Sequence, residues 1–534
     1  MYIEPNTVIK LYERMPLDKN YTNTLFFDSL SAQTSFFHTN NKYHKQTLTR
    51  QSYQRVERGK MRIGISANEI YTCNYLAFQN SSYGNKWFYA FITGIEYINN
   101  ETSEVSFQID ILQSYFFNIE FKNCFIERQH TLGDAIGENI VEEPIATGDY
   151  IYNSFQKSGL FDEYCVVLAT TEGDLFSDNT VAYSKYTGYV GGLPSLITYI
   201  VFDAYYMTDF SESSLSYVKT VLDGMVAQNK VDGIISLSLI PKALVPTGKE
   251  TTTKIFNTSR PATLGGYTPK NNKLFTYPYA YLALENGKSE QIYRYEYFTD
   301  PTAIKFEIDS TLSATPEFSM TPKNYMNVEK NYLKKQVISD FPFLAYSIDS
   351  YKQWLATSSR SYNIGVVGGL LNLGGTFSNG IMPHYTYNAD YSKNLSDSFP
   401  MQNTSGLFSL LQASAQASVE QTKGDKVQGQ NSGTIDIATR AKDFYTIHKT
   451  LTPSYLKIVD DYFTRYGYAI KRCQVPIFNA RPHYTYIKTQ GAIVTGGAPA
   501  DDIARICDIL NNGITFWKDA SEVGNYSVDN KGII

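Results

Sequence analysis

The chain has 534 residues, too many for one hydrophobic core, and its length predicts roughly three or four domains. Lysine and arginine total 47 against 52 acidic residues, a formal charge of −5, which excludes a nucleic-acid clamp with a broad basic face. Aromatic residues make up 15%, with 44 Tyr and 31 Phe, and such side chains suit pleated, half-buried surfaces, so the composition predicts a mainly β fold with some α. The five cysteines, Cys73, Cys124, Cys165, Cys473 and Cys507, are scattered and form no CxxC pair, a pattern that suits synthesis in a reducing cytoplasm. The opening MYIEPNTVIKLYERMP has no apolar stretch of the kind a secretion signal needs.

From Val8 to Arg128 the pattern reads as strands. WFYAFITGIEYI and VSFQIDILQSYFF flank the turn-rich NNETSE, and in the second run Val105, Phe107, Ile109 and Ile111 alternate with polar residues. That period of two predicts an antiparallel hairpin with one buried face. The middle, about residues 155–270, is mixed: SSLSYVKTVLDGMVAQ predicts a helix with Val218, Val221, Leu222 and Met225 on one face, and VPTGKETTTKIFNTSRPATLGGYTP reads as a long polar loop. A second hairpin is predicted in KLFTYPYAYLALENGKSEQIYRYEYF, turning at Asn286-Gly287, a pair favoured where both central residues need positive φ. Near the end TPSYLKIVDDYFTRYG predicts a helix with Thr452 as N-cap, Pro453 first, Gly467 as stop, and Leu456, Val459 and Phe463 inward. PADDIARICDILNNG predicts another, with Asp501 and Asp502 in the first turn, Ile503, Ile506, Cys507 and Leu510 on one face, and Gly513 as stop. Cys507 reads as a core residue rather than a nucleophile.

A search for catalytic chemistry returns nothing specific. NGKS at Asn286 resembles the end of a phosphate-binding loop, but the first glycine that loop requires would fall at Leu282, so a hairpin turn is the better reading. GxSxG, HExxH and EF-hand patterns are absent from the sequence, and the six histidines stand singly, His130 and His448 reading as satisfied core or surface residues. The adjacent Asp460 and Asp461 do not face each other on a helix and make no acid/base pair. The expectation is a protein with no catalytic residue, no metal and no cofactor.

The unusual stretch is IGVVGGLLNLGG, residues 364–375, which lies within residues 361–389, a run without Asp, Glu, Lys or Arg. Its apolar residues Ile364, Val366, Val367, Leu370, Leu371 and Leu373 are interleaved with Gly365, Gly368, Gly369, Gly374 and Gly375, and Phe377, Ile381 and Met382 follow. A second charge-free run, residues 398–419, carries Leu407, Phe408, Leu410 and Leu411. Between them HYTYNADYSKNLSDS is more polar, with Asp390, Lys393 and Asp397. Five glycines at about 1 kcal/mol each argue against a solitary transmembrane helix. An exposed surface loop should be polar, and this one is not. Several copies pointing inward would hide it, which implies a ring. Its lack of charge also removes the penalty of about 2.5–3.5 kcal/mol that each charged side chain would meet in lipid. Residues 361–434 thus read as a buried plug able to become a membrane segment.

YGNKWFYAF, FQIDILQ, FIERQH, YPYA, YGYAIKR and NGITFWKDASEVGNYSVDN, with the opening MPLDKNYTNTLFF, together resemble the tail knob, or distal tail tube, proteins of the smallest short-tailed phages of Gram-positive bacteria, of the Salasmaviridae/Rountreeviridae type. The matches are collinear and cover most of residues 8–128, 273–300 and 442–530. The resemblance implies tail-tube-like β-barrel domains in a homo-hexameric ring at the virion's distal tail tip. It implies the proximal tail or collar protein, double-stranded DNA in transit and host cytoplasmic membrane lipid as partners. It also implies a hydrophobic loop that plugs the lumen and later forms a pore for DNA ejection. The expected division is a first tube domain over 1–154, an inserted knob domain over 155–270, a second tube domain over 271–360 and 435–534, and the plug loop over 361–434. A modest negative charge suits a channel along which DNA slides, since a basic lining would hold phosphates. The alternative is a tail protein that binds host wall polysaccharide through aromatics such as Tyr205 and Tyr206. A further rival is a wall-degrading tail enzyme.

Overall fold

The computed structural model describes residues 6–39, 42–51, 59–171, 183–190, 193–202, 224–225, 227–228, 230, 233–245, 251–312, 316–325, 335–339, 341, 343–345, 429–430 and 441–532. The chain forms two compact units. One comprises Met1–Gly148, Tyr267–Thr276 and Pro453–Ile534, and the other comprises Asp149–Gly266 and Tyr277–Thr452.

The first unit contains a six-stranded antiparallel sheet in the order His44–Gln51, Thr7–Glu13, Cys73–Gln79, Phe88–Asn99, Thr102–Ile109, Lys60–Ile63. Its two edges approach each other at one end, where the Gly64 N–H donates to Gln51 Oε1 at 3.1 Å. Leu48 from one edge and Met61 and Ile63 from the other share one buried cluster with Ile9, Leu11, Leu76, Ala90, Val105 and Phe107. The sheet is curled around this cluster. The alternate residues Tyr12, Tyr75, Ala77, Tyr89 and Phe91 are buried in a second cluster on the other face. Over the central strands both faces are covered, which is why they carry buried Tyr where a half-exposed strand would carry charge. Tyr12 and Tyr75 keep their hydroxyls bonded, to the Phe37 carbonyl at 3.0 Å and to Asp110 Oδ2 at 2.9 Å.

The first predicted hairpin is present as Phe88–Asn99 paired antiparallel with Thr102–Ile109. Its second strand stops earlier than the alternation through Ile111 predicts. Asp110 caps a short helix, Ile111–Tyr115, by accepting from the Gln113 N–H at 3.2 Å. A local side-chain cap here outweighs apolar periodicity, since it supplies a helix-start acceptor that the strand ladder lacks. The reading of residues 8–128 as strands alone also needs correction, because Leu30–His38 is a helix capped by Ser29, whose Oγ accepts from the Ala32 N–H at 3.1 Å. The serine just before LSAQTSFFH is a start signal legible in the sequence.

The unit also holds a five-stranded sheet, in the order Asn23–Leu25, Ile514–Trp517, Tyr484–Gln490, Cys124–Gln129, Tyr468–Gln474, its first pair parallel, and a two-stranded one of Val494–Gly496 with Ile119–Phe121. The two C-terminal helices are Pro453–Tyr466 and Ala500–Asn512, as predicted from their punctuation. Leu456, Val459, Phe463, Ile506 and Leu510 are buried, while Ile503 and Cys507 pack at the margin. Gly467 takes φ 64°, and a Cβ there would lie 2.4 Å from the Gln129 carbonyl, so the stop position needs glycine for both backbone and space.

Among the described residues the second unit holds three antiparallel sheets. One has the order Tyr150–Lys157, Tyr445–Leu451, Ala280–Glu285, Glu290–Tyr293. Its last pair is the second predicted hairpin, with Gly287 at φ 83°. Asn286 acts through its side chain, Oδ1 accepting from the Lys288 and Ser289 N–H groups at 2.9 Å each. This is an Asx turn closing a four-residue loop, so the two-residue primed turn expected at Asn286-Gly287 is not the one formed. Another sheet runs Thr251–Thr258, Ile304–Thr311, Glu317–Pro322, Gln336–Ile338. Its first strand lies within the stretch that reads as a polar loop, and there Phe256 faces inward opposite Phe306. The six-stranded sheet has the order Tyr183–Val190, Leu193–Phe202, Tyr164–Thr170, Ile234–Pro241, Phe343–Ala345, Gly429–Gln430. The helix expected over residues 213–228 lies largely outside the described residues; Gly224, Met225 and Ala227 are helical, and Met225 is buried.

Candidate functional site

The strands that flank the long charge-poor stretch lie side by side in the second unit. Phe343–Ala345 and Gly429–Gln430 are neighbours in the six-stranded sheet, pairing antiparallel with Phe343 opposite Gln430 and Leu344 opposite Gly429. Phe343–Ala345 in turn pairs with Ile234–Pro241, Leu237 lying opposite Leu344. Residues 346–428 lie outside the described residues, and the strands on either side of them are paired. A two-residue strand such as Gly429–Gln430 has no legible signal in sequence, and this neck was missed. It also falls inside the expected loop, residues 361–434.

In the same unit, Asp443 anchors the strand Tyr445–Leu451. It is fully buried, bonds Ser158 Oγ, and accepts from the Phe444 N–H at 2.6 Å and the Gly159 N–H at 3.1 Å. Burial pushes its carboxyl up to about 6.

In the first unit the segment Tyr267–Thr276 is held by three buried carboxylates. Asp460 accepts from Tyr267 OH at 2.7 Å, the Lys270 N–H at 2.7 Å, the Asn271 N–H at 3.1 Å and Asn271 Nδ2 at 2.7 Å. Asp134 accepts from Tyr468 OH at 2.6 Å and the Asn272 N–H at 3.2 Å. Glu143 bonds Arg128, and also receives Lys273 Nζ at 2.5 Å and the Ala469 N–H at 2.9 Å. Burial draws the Lys273 ammonium down to about 7, helped by the nearby Arg128 and Lys471 charges and opposed by Asp134; the ammonium also donates to the Val141 carbonyl at 2.7 Å. Asp461, next to Asp460, is exposed and lies 3.4 Å from Lys270 Nζ, so the two neighbours are separated as helix geometry requires. Such a set of satisfied carboxylates is a structural lock, since each oxygen is already occupied by protein donors.

The two histidines singled out in the sequence are core residues. His130 Nδ1 accepts from the Tyr486 N–H at 2.8 Å, so its Nε2 donates to the Thr464 carbonyl at 3.0 Å. His448 lies between Tyr295 OH at 2.6 Å and Thr258 Oγ1 at 3.1 Å. Burial lowers them to about 3 and about 4. Each therefore stabilises the fold fully above the ordinary histidine range near 6.5, and that contribution is lost as pH falls through the window down to the folded value. Asp110 and Asp443, both raised to about 6, act in the opposite sense: their contribution is present below about 3.8 and lost as pH rises to about 6. The melting temperature should fall between about pH 7 and pH 4.5 because the histidine shifts are the larger. His448→Gln should melt lower than the parent at pH 7 yet lose less on acidification, as scanning fluorimetry across that range would record.

A sequence profile described as the Bacillus phage phi29 tail knob protein gp9 C-terminal domain matches residues 242–531, which include the neck, the hairpin and both C-terminal helices. The chain belongs to the tail knob protein family. A second profile, the Caudoviral major tail protein N-terminus, matches residues 5–120, the curled sheet of the first unit. Tail knob protein gp9 of Bacillus phage PZA is 24% identical and that of Bacillus phage phi29 21% identical, each alignment covering 98% of both proteins. Among solved structures, the tail knob protein gp12 of bacteriophage C1 is similar in fold, with a TM-score of 0.62 at 16% identity over 99% of this chain and 100% of that one. The family resemblance and the mainly β, tail-tube-like fold read from the sequence both hold.

The membrane-active residues expected in this tail knob protein, Ile364, Val366, Val367, Leu370, Leu371, Leu373, Phe377, Ile381, Met382, Leu407, Phe408, Leu410 and Leu411, lie outside the described residues, as do the loop glycines and Tyr205 and Tyr206. Among the described residues no helix is long and apolar enough to cross a membrane. Among them, too, no cluster of three or more His, Cys, Asp or Glu is placed to hold a metal ion.

Proposed function

We propose that this tail knob protein is a structural subunit of the distal tail tube, that six copies form a ring through which genomic DNA passes, and that the 361–434 segment plugs the lumen before infection. On infection the segment leaves the lumen and forms a pore in the host cytoplasmic membrane. The protein acts without catalysis and joins the proximal tail or collar protein in the virion. The observation that carries this reading is the neck. Phe343–Ala345 and Gly429–Gln430, the strands on either side of the charge-poor stretch 346–428, pair with each other, so the sheet that carries them stays joined whatever surroundings that stretch takes. Buried carboxylates saturated by protein donors support a scaffold rather than an acid/base centre. Electron microscopy of the purified protein should show sixfold rings, and mass photometry a hexamer at high concentration or on the tail. A persistent monomer under both conditions contradicts the ring. Incubation with host cell wall should release no products; turnover abolished by one carboxylate substitution contradicts the non-enzymatic role.

A further inference from the structure

Asn286-Gly287 turns the second hairpin, and the Asn286 side chain is held more closely than a turn alone requires. Its Oδ1 accepts from the Lys288 N–H and the Ser289 N–H, both at 2.9 Å, with Ser289 Oγ at 3.4 Å. Its Nδ2 donates to the Val337 carbonyl at 2.7 Å, joining the hairpin to the strand Gln336–Ile338 of another sheet of the same unit. For Oδ1 to reach the N–H groups two and three residues on, the side chain must fold back over the peptide between them, which brings Cγ against the Gly287 nitrogen. That nitrogen donates to no acceptor among the described residues. Glycine also leaves it open, since no atom lies within 4 Å of where a Cβ would stand.

These contacts have the parts of an acyl-transfer site. The Gly287 nitrogen is a nucleophile, Asn286 Cγ is an acyl carbon, and two backbone N–H groups face the oxygen that gains negative charge when Cγ becomes tetrahedral. Their 2.9 Å separations fall within the roughly 2.7–3.1 Å at which such donors stabilise an oxyanion.

We propose that Asn286 deamidates in the folded protein by cyclising onto Gly287. The Gly287 nitrogen gives its proton to water and bonds to Cγ, the Cγ–Nδ2 bond breaks, and Nδ2 takes up a proton and leaves as ammonia. Water then opens the five-membered imide, at Cγ to give aspartate or at the main-chain carbonyl carbon of the same residue to give isoaspartate. Both products lose the donor to the Val337 carbonyl and gain a negative charge, so the reaction loosens one link between the hairpin and Gln336–Ile338 irreversibly and with time. The Gln336 side chain, donating to the Leu284 and Ser289 carbonyls at 3.2 Å, keeps the two together. The inference stands apart from the ring, the plug and the pore.

Asn512-Gly513 supplies a comparison within the same chain. Asn512 is exposed, but the Gly513 N–H donates to the Ile509 carbonyl at 3.1 Å and the Leu510 carbonyl at 3.3 Å, so its nitrogen is occupied by the end of a helix. Full-length protein should be incubated folded in neutral and mildly alkaline buffer, then digested and mapped by mass spectrometry. Asn286 should lose ammonia and then appear as the acid, faster at higher pH, at a rate about tenfold or more above Asn512, in line with the value of oriented oxyanion donors. In denaturant the two sites should react at similar rates, because the fold no longer separates them. Asn286→Gln should abolish the change, since closure would then need a six-membered imide, and Asn286→Asp should melt lower than the parent. An Asn286 that stays intact in the folded protein while the denatured chain converts overturns the proposal, as does conversion of Asn512 as fast as Asn286. An Asn286→Asp variant that melts with the parent overturns the loosening.

Discussion

Replacing residues 361–428 with a short glycine-serine linker should leave an assembled, folded protein that no longer releases dye from liposomes. The neck makes the deletion structurally mild, because Phe343–Ala345 and Gly429–Gln430 already lie side by side and a few residues span the gap. Single charges should act in the same direction. Val367→Asp or Leu371→Lys places a group in lipid at a cost of about 2.5–3.5 kcal/mol, which corresponds to a fall in inserted population of roughly a hundredfold. Ring assembly should survive where the new side chain reaches water in the lumen, so hexamer formation and leakage should separate. Infectivity of phage carrying either variant should fall with leakage. A loop-deleted protein that leaks liposomes as well as the parent would falsify the plug-to-pore account while leaving the tube intact.

Asp460→Ala should destabilise the first unit by roughly 3 kcal/mol or more, since each buried donor left without an acceptor costs about 1–3 kcal/mol. Tyr267 OH, two backbone N–H groups and the Asn271 amide all lose their acceptor at once, in a place water does not reach. Asp461→Ala, one residue on, should change stability by less than about 0.5 kcal/mol, since its one described ion pair is exposed. Urea unfolding of the two variants side by side measures the contrast. Equal midpoints would mean that the Tyr267–Thr276 segment is held by something other than the Asp460 carboxylate.

These two aspartates mark the line between what is legible locally and what is not. Their sequence neighbourhood predicts a helix whose inward side, marked by Leu456, Val459 and Phe463, also takes Asp460 and turns Asp461 outward; it contains nothing to say what the buried carboxylate bonds. That is decided by Asn271, almost two hundred positions away. The same division runs through the rest of the molecule. Helix ends at Pro453, Gly467 and Gly513 and the alternation of Val105, Phe107 and Ile109 were readable because caps, φ restrictions and pleat periodicity act within a few residues. The charge-free run at 364–375 was readable because composition alone sets its transfer free energy. Asp110 could have been read as a cap, and the period of two was followed past it instead. No local pattern marks Gly429–Gln430 as a strand, the Tyr267–Thr276 segment as part of a unit otherwise built from the two ends of the chain, or Thr258 and His448 as hydrogen-bonded partners. Each depends on contacts across tens to hundreds of residues, whose free energy exists only once the chain has folded, and so the tertiary structure alone decided them.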